Sequence, residues 1–305
     1  IARRTNRPVL LSCTSGSAGA HYYPAIVEAS EGQVPLMVIT ADRPEELQGR
    51  GSPQTMPQQE LFGPHVRFYT DLGTPSAHQT QEETITVVRQ AVTAALGAAP
   101  GPVHLNAPFR KPLWEPGLAP PRVPEIEPFT RHIVKPTVSD IDRLIRETSQ
   151  QNGVIVLGPD PSARISTASV CALSKALGWP ILADPASQAR YGADGPIVHH
   201  HDVLLRSGAF RERLIPSMAI TLGGTTSSKT LSTLLSNIRT LHIGSSGRLQ
   251  DPWQSVVWTL PADIEAVAEM LEANTTTPQP RTWVESWLEA NAIAAKAIQD
   301  VVSKN

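Results

Sequence analysis

Between residues 108 and 136 proline recurs at positions 108, 112, 116, 120, 121, 124, 128 and 136. Each ring fixes φ and removes a backbone donor, so neither a helix nor a central strand can continue through the stretch. The segment reads as an extended linker. It divides the 305 residues into two parts, each long enough for its own core. The division expected is a first domain over 1–109, a linker over 110–137 and a second domain over 138–305.

Before the linker, short apolar runs at 8–13, 35–40, 66–72 and 102–106 are strand candidates. Helical patterns cover 22–30 and 80–96. The second has Ile85, Val88, Val92 and Ala95 on one stripe and Gly97 as a stop signal. After the linker, Ser139 reads as a helix cap followed by Asp140 and Asp142. Strands are expected at 154–157, 181–182, 218–222, 240–243 and 256–260. Helices are expected at 164–177, 201–213 and 228–235. A further helix is opened by Pro261, and an amphipathic one at 282–302 closes the chain. Unbroken apolar strands alternating with helices predict parallel sheets. The fold class is therefore α/β with two parallel-sheet units, the second in a doubly wound, dinucleotide-domain-like pattern.

Formal net charge is −2 and no block of like charges occurs, so nucleic acid has no electrostatic purchase. No run approaches the roughly 20 apolar residues of a membrane-spanning helix. Two cysteines, Cys13 and Cys171, in so long a chain point to a reducing, cytoplasmic compartment rather than a disulfide scaffold. The chain opens on Ile1 with no signal-peptide pattern, like the end of a helix entering a strand. We expect further sequence to precede it.

Several motifs carry chemistry. Thr14-Ser15-Gly16-Ser17-Ala18-Gly19-Ala20 joins a strand to a helix. Its backbone NH groups can approach an anion or polar ring; a tight turn needing small residues is the alternative. Ser15 and Ser17 lack a nucleophile frame. Leu222-Gly223-Gly224-Thr225-Thr226-Ser227-Ser228-Lys229 resembles a phosphate loop only loosely, without Gly-Lys-Ser/Thr, which excludes nucleotide hydrolysis. A lysine opening a helix opposes the local dipole, so a nearby anion would rationalise Lys229; simple solvent exposure is the alternative. His199-His200-His201 lacks partners at metal-ligand spacing, and no metal site is expected in the chain. Thr40-Ala41-Asp42-Arg43-Pro44-Glu45-Glu46-Leu47 follows a buried strand, at the sheet edge where ligands gather. Arg43 there can grip a carboxylate, unless Asp42 neutralises it. Gln54 adds an amide in the next polar loop.

Taken in order, Thr14–Ala18, Tyr23–Ala29, Thr40–Pro44, Gln54 and His104-Leu105-Asn106-Ala107-Pro108-Phe109 resemble one family. So do Gly178-Trp179-Pro180, Asp184, Ser187-Gln188, Leu222-Gly223 with Lys229, and Gly247–Pro252. This is the 2-succinyl-5-enolpyruvyl-6-hydroxy-3-cyclohexene-1-carboxylate synthase family of thiamine-diphosphate enzymes. The resemblance runs over nearly the whole chain.

That resemblance implies a truncated pyrimidine-binding domain followed by a central domain that usually binds no nucleotide. It implies decarboxylation of 2-oxoglutarate and 1,4-addition of the succinyl carbanion equivalent to isochorismate, with thiamine diphosphate as electron sink. Arg43 and Lys229 would then line the isochorismate side. Gln54 would lie near the cofactor, alongside Thr14, Ser15 and Gly16. Pro53 stands where many members carry asparagine, and Thr230 where some carry a second basic residue. No catalytic residue is expected in this chain. The cofactor-activating glutamate belongs upstream of Ile1, and the diphosphate and magnesium site to a third domain. We therefore expect the 305 residues alone to be inactive and the intact enzyme to be a dimer or tetramer acting on small molecules. An acetolactate-synthase-like decarboxylase and a non-catalytic scaffold piece are the alternative readings.

Overall fold

A computed structural model describes residues 1–5, 7–76, 78–113, 117, 132–160, 164–190, 195–245, 249–274 and 282–304. Pro116, Pro120, Pro121, Pro124 and Pro128 of the expected linker lie outside the described residues, as do Gly247 and Arg248. The chain divides into two units, Ile1–His132 and Ile133–Asn305.

In the first unit a single turn, α1 (Ala2–Thr5), leads into β1 (Val9–Cys13), α2 (Tyr23–Glu31) and β2 (Leu36–Asp42). β3 (Tyr69–Asp71), α3 (Gln81–Leu96) and β4 (Pro102–Pro108) follow. The sheet is parallel with order β1-β2-β4-β3. β4 lies between two neighbours and is buried along its whole length. On one face Met37, Val103 and Leu105 pack with Ala91 and Ala95 of α3, while Ile26, Val38 and Phe62 form a second cluster. α3 starts where its sequence demands. Thr80 accepts from the Glu83 amide at 3.2 Å and Glu83 returns the bond to the Thr80 amide at 2.8 Å. It ends at Leu96 with Gly97 as the C-cap, as expected, although Gly97 has φ −59° and makes no left-handed turn. β3 is shorter than the run at 66–72, although the backbone just before it already meets β4: the Arg67 amide donates to the Pro102 carbonyl at 2.7 Å and the Phe68 carbonyl accepts from the His104 amide at 2.9 Å.

The second unit begins with α4 (Val138–Thr148), β5 (Gly153–Leu157), α5 (Thr167–Leu177) and β6 (Ile181–Ala183). Next come α6 (His201–Arg206), α7 (Gly208–Arg213), β7 (Met218–Leu222) and α8 (Lys229–Leu235). β8 (Arg239–Ile243), β9 (Val256–Leu260), α9 (Ile264–Asn274) and α10 (Thr282–Val302) complete it. Its parallel sheet runs β6-β5-β7-β8-β9. Beyond β6, Ile197 makes a single parallel bridge to Ile181. Counting that bridge as a vestigial strand, the order is 3-2-1-4-5-6, the dinucleotide-domain arrangement, with its switch point between β5 and β7.

Three local readings are corrected. The cap of α4 is Thr137, not Ser139: the extended Thr137 accepts from the Asp140 amide at 3.2 Å, and Asp140 bonds the Thr137 amide at 2.9 Å. The helix expected over 201–213 breaks at Ser207, whose hydroxyl caps α7. Pro261 does not open α9, which starts at Ile264. The preceding Asp263 already accepts from the Val134 amide at 2.8 Å and the Ser245 hydroxyl at 2.7 Å.

Candidate functional site

The carboxyl ends of β1, β2 and β4 place Thr14–Gly16, Asp42–Arg43 and Asn106 at one edge of the first sheet. Gly16 takes φ +83°, a left-handed conformation that excludes most side chains, and a Cβ there would sit 3.3 Å from the Gln54 carbonyl oxygen. Gln54 itself adopts φ +59°, which costs a non-glycine residue free energy. The strain is held by its side chain. Gln54 Nε2 donates to Thr14 Oγ1 at 3.0 Å, and Gln54 Oε1 accepts from the Arg43 guanidinium at 3.4 Å. Ser15 is 3% exposed, and among the described residues its hydroxyl has no protein partner. A buried hydroxyl beside a glycine cradle is suited to a polar ligand atom, because leaving it unpaired costs about 1–3 kcal/mol.

Asp42 does not neutralise Arg43. Its carboxylate accepts from the Arg43 backbone amide at 2.7 Å, from Gln48 Nε2 at 3.0 Å and from Asn106 Nδ2 at 2.9 Å. Among the described residues no acidic side chain pairs with the Arg43 guanidinium. The acid of this motif that does form an ion pair is Glu46, whose carboxylate takes a two-pronged bond from Arg110 at 2.6 and 2.9 Å. That hydrogen bonding from Arg110 pulls the Glu46 pKa down to about 2.

Beneath this edge lies a polar network not anticipated from the sequence. Gln58, 1% exposed, accepts from the Gly16 amide at 2.7 Å. It donates to the Ala41 carbonyl at 2.9 Å and to Asn106 Oδ1 at 3.0 Å. Asn106 Oδ1 also accepts from Thr40 Oγ1 at 2.9 Å, and Thr40 Oγ1 lies 2.8 Å from His104 Nε2. With the Thr40 proton directed at Asn106, His104 Nε2 must carry the proton of its own bond. His104 is thereby fixed as the Nε2–H tautomer, and among the described residues its buried Nδ1 lone pair has no partner. Burial lowers its pKa to about 4, against a weaker opposing pull from Asp71. The available clue was Thr40 and Asn106, polar residues inside otherwise apolar strands. Nothing local marked Gln58.

Lys229 belongs to the second unit. It is exposed at the first position of α8, and no acidic side chain pairs with it among the described residues. The preceding loop is tightly built. Gly223 takes φ +74°, and a Cβ at Gly158 would run into the Gly224 carbonyl oxygen. The Thr225 amide donates to Gln250 at 2.9 Å. Asp184, at the end of β6 and 1% exposed, accepts from the Ser227 amide at 2.8 Å, the Ser227 hydroxyl at 2.7 Å and the Thr226 hydroxyl at 3.1 Å. Burial acts to raise its pKa, but these bonds and one from the Ala186 amide outweigh it and leave the carboxyl below its ordinary value. Ser228 caps α8 and donates to Asp202 at 2.6 Å. In the histidine run, His201 is buried with Nδ1 2.8 Å from the Val198 carbonyl, and the His200 amide donates to Asn291. Among the described residues no three His, Cys, Asp or Glu side chains converge as metal ligands. No described helix is long and apolar enough to cross a membrane, and neither Cys13 nor Cys171 forms a disulfide.

Residues 124–305 match the family model for the middle domain of thiamine pyrophosphate enzymes, and residues 1–61 match that for their N-terminal TPP-binding domain. A 2-succinyl-5-enolpyruvyl-6-hydroxy-3-cyclohexene-1-carboxylate synthase from Myxococcus xanthus is 40% identical over 83% of this chain and 46% of its own length. Proteins of the same name from Listeria monocytogenes and Geobacillus kaustophilus are 33% and 34% identical, each over 98% of this chain. Those alignments cover 53% and 54% of the respective relatives, so the chain spans about half their length. The fold is shared with an X-ray structure assigned to a thiamin diphosphate-dependent enzyme from Mycobacterium smegmatis. The TM-score is 0.62 and the identity 19%, over 92% of this chain and 53% of that one.

Proposed function

The chain belongs to the thiamine pyrophosphate enzymes, and we propose that it contributes two domains to a 2-succinyl-5-enolpyruvyl-6-hydroxy-3-cyclohexene-1-carboxylate synthase. The domains are placed at 1–109 and 138–305 with the linker at 110–137 between them. The substrates are 2-oxoglutarate and isochorismate, and magnesium is bound in a third domain. The working assembly is a homodimer or homotetramer.

One observation carries this reading. Arg43 presents a guanidinium with no acidic partner among the described residues, joined through Gln54 to Thr14 and the Gly16 turn. A substrate carboxylate meeting that fork gains charge-assisted bonds that the protein has not already used internally. Bound thiamine diphosphate supplies the electron sink for decarboxylation. The residues here fit its polar ring: among the described residues Ser15 Oγ is buried without a protein partner, next to the left-handed Gly16 turn that packs on the Gln54 backbone. Thr14, Ser15, Gly16 and Gln54 hold and orient that ring. Arg43, Gln54 and Lys229 bind substrate.

The test is turnover by the complete enzyme. Product formation from 2-oxoglutarate that requires isochorismate is the expected result. Conversion of pyruvate alone to acetolactate, with no dependence on isochorismate, would place the enzyme in a different branch.

A further inference from the structure

We propose that Asn106 is a positioning residue that couples the cofactor cradle to the substrate-anion grip, so that one side chain sets both. The proposal rests on the functional reading above and extends it to a residue that contacts neither ligand.

Asn106 is 1% exposed on the central strand β4, and its amide is saturated. Oδ1 accepts from Thr40 Oγ1 at 2.9 Å and Gln58 Nε2 at 3.0 Å. Nδ2 donates to Asp42 Oδ2 at 2.9 Å and Asp71 Oδ2 at 2.8 Å. Two branches leave this one amide. Through Gln58 the first reaches the Gly16 amide at 2.7 Å and so holds the left-handed turn beneath the cradle. Through Asp42 the second reaches the Arg43 amide at 2.7 Å. Gln48, bonded to the same Asp42 oxygen at 3.0 Å, also donates to the Arg43 carbonyl at 3.0 Å. The peptide groups on both sides of Arg43 are thus held from one carboxylate. Among the described residues no other side chain is bonded to both Gln58 and Asp42. Among uncharged side chains, the carboxamide of Asn or Gln is the group that can donate to two carboxylates while accepting from a hydroxyl and a second amide.

The experiment uses the complete enzyme and reads the two branches separately. Half-saturation by thiamine diphosphate comes from calorimetric titration and KM for isochorismate from steady-state rates. Hydrogen exchange at the Gly16 and Arg43 amides reports position without reference to activity. Gln58→Met should raise the cofactor constant about tenfold and Asp42→Asn the isochorismate KM about tenfold, each leaving the other constant within about twofold. Asn106→Ala should raise both constants and speed exchange at both amides. If Asn106→Ala raises only one constant, or neither, in a folded protein, the coupling is wrong. Should Asn106→Ala fail to fold, Asn106→Asp decides. It keeps the shape and both acceptor positions but turns an oxygen toward Asp42 and Asp71. Isochorismate KM and Arg43 amide exchange should rise while the cofactor constant holds. An unchanged KM and exchange rate would end the proposal. Failure of the unaltered enzyme to use isochorismate overturns the proposed function instead, and the cofactor and exchange arms still judge Asn106.

Discussion

The carboxylate of Asp42 takes its side-chain hydrogen bonds from Asn106 at 2.9 Å and Gln48 at 3.0 Å, and none from the guanidinium of Arg43, its neighbour in sequence. Asp42 holds the Arg43 backbone instead, at 2.7 Å. The alternative open in the sequence, that Asp42 neutralises Arg43, is therefore not realised, and the cation remains available at the sheet edge.

Arg43→Ala in the complete enzyme is expected to raise the isochorismate KM at least about tenfold, the cost of one charge-assisted contact being about 1.5–3 kcal/mol. Arg43→Lys should recover only part of this, since an ammonium cannot form the two-pronged bond. Lys229→Ala should act in the same direction. Steady-state kinetics decide each case, and an unchanged KM removes that residue from the binding site.

Gly158→Ala should destabilise the second unit by about 1–3 kcal/mol or more, because the added methyl meets the Gly224 backbone and not a side chain that can turn away. Gly208→Ala is the control. It lies at the start of α7 with open space around it, and should be neutral or stabilising by up to about 1 kcal/mol. Urea unfolding followed by the fluorescence of buried Trp179 and Trp287 measures both.

Asp184→Ala should loosen the loop before α8. It leaves the Ser227 amide and the Thr226 hydroxyl without their acceptor and should cost about 2–4 kcal/mol. Faster hydrogen exchange confined to residues 223–228 is the expected signature. Uniform exchange across that loop before and after the change would contradict it.

His104 makes the first unit acid-sensitive. Its folded pKa is about 4, below the ordinary 6.5, so the unfolded chain binds the extra proton first as pH falls. The stabilisation is fully present above about pH 6.5 and is lost progressively down to about pH 4. A shift of that size corresponds to about 3 kcal/mol as an order of magnitude. His201 and His242, also lowered by burial, add loss of the same sign in the second unit. Denaturation midpoints between pH 7 and 4 should fall, and less steeply for the first unit in His104→Gln.

What the sequence determined by itself is what depends on near neighbours. Apolar runs placed nearly every strand, the 3.6-residue stripe placed α3, and Thr80 with Glu83 set its start, because period and capping act within one or two turns. The order of short motifs was enough to indicate the family. The tertiary structure alone decided what depends on crossover order. Parallel pairing set Thr40 and Asp71 beside Asn106, and chain reversals brought Gln58 under Gly16. A buried amide must find four partners wherever the chain delivers them, and none of those at Asn106 lies within 30 residues along the chain. The same reason explains Arg43. Whether Asp42 binds its neighbour's side chain or only its backbone was settled by a residue 64 positions away.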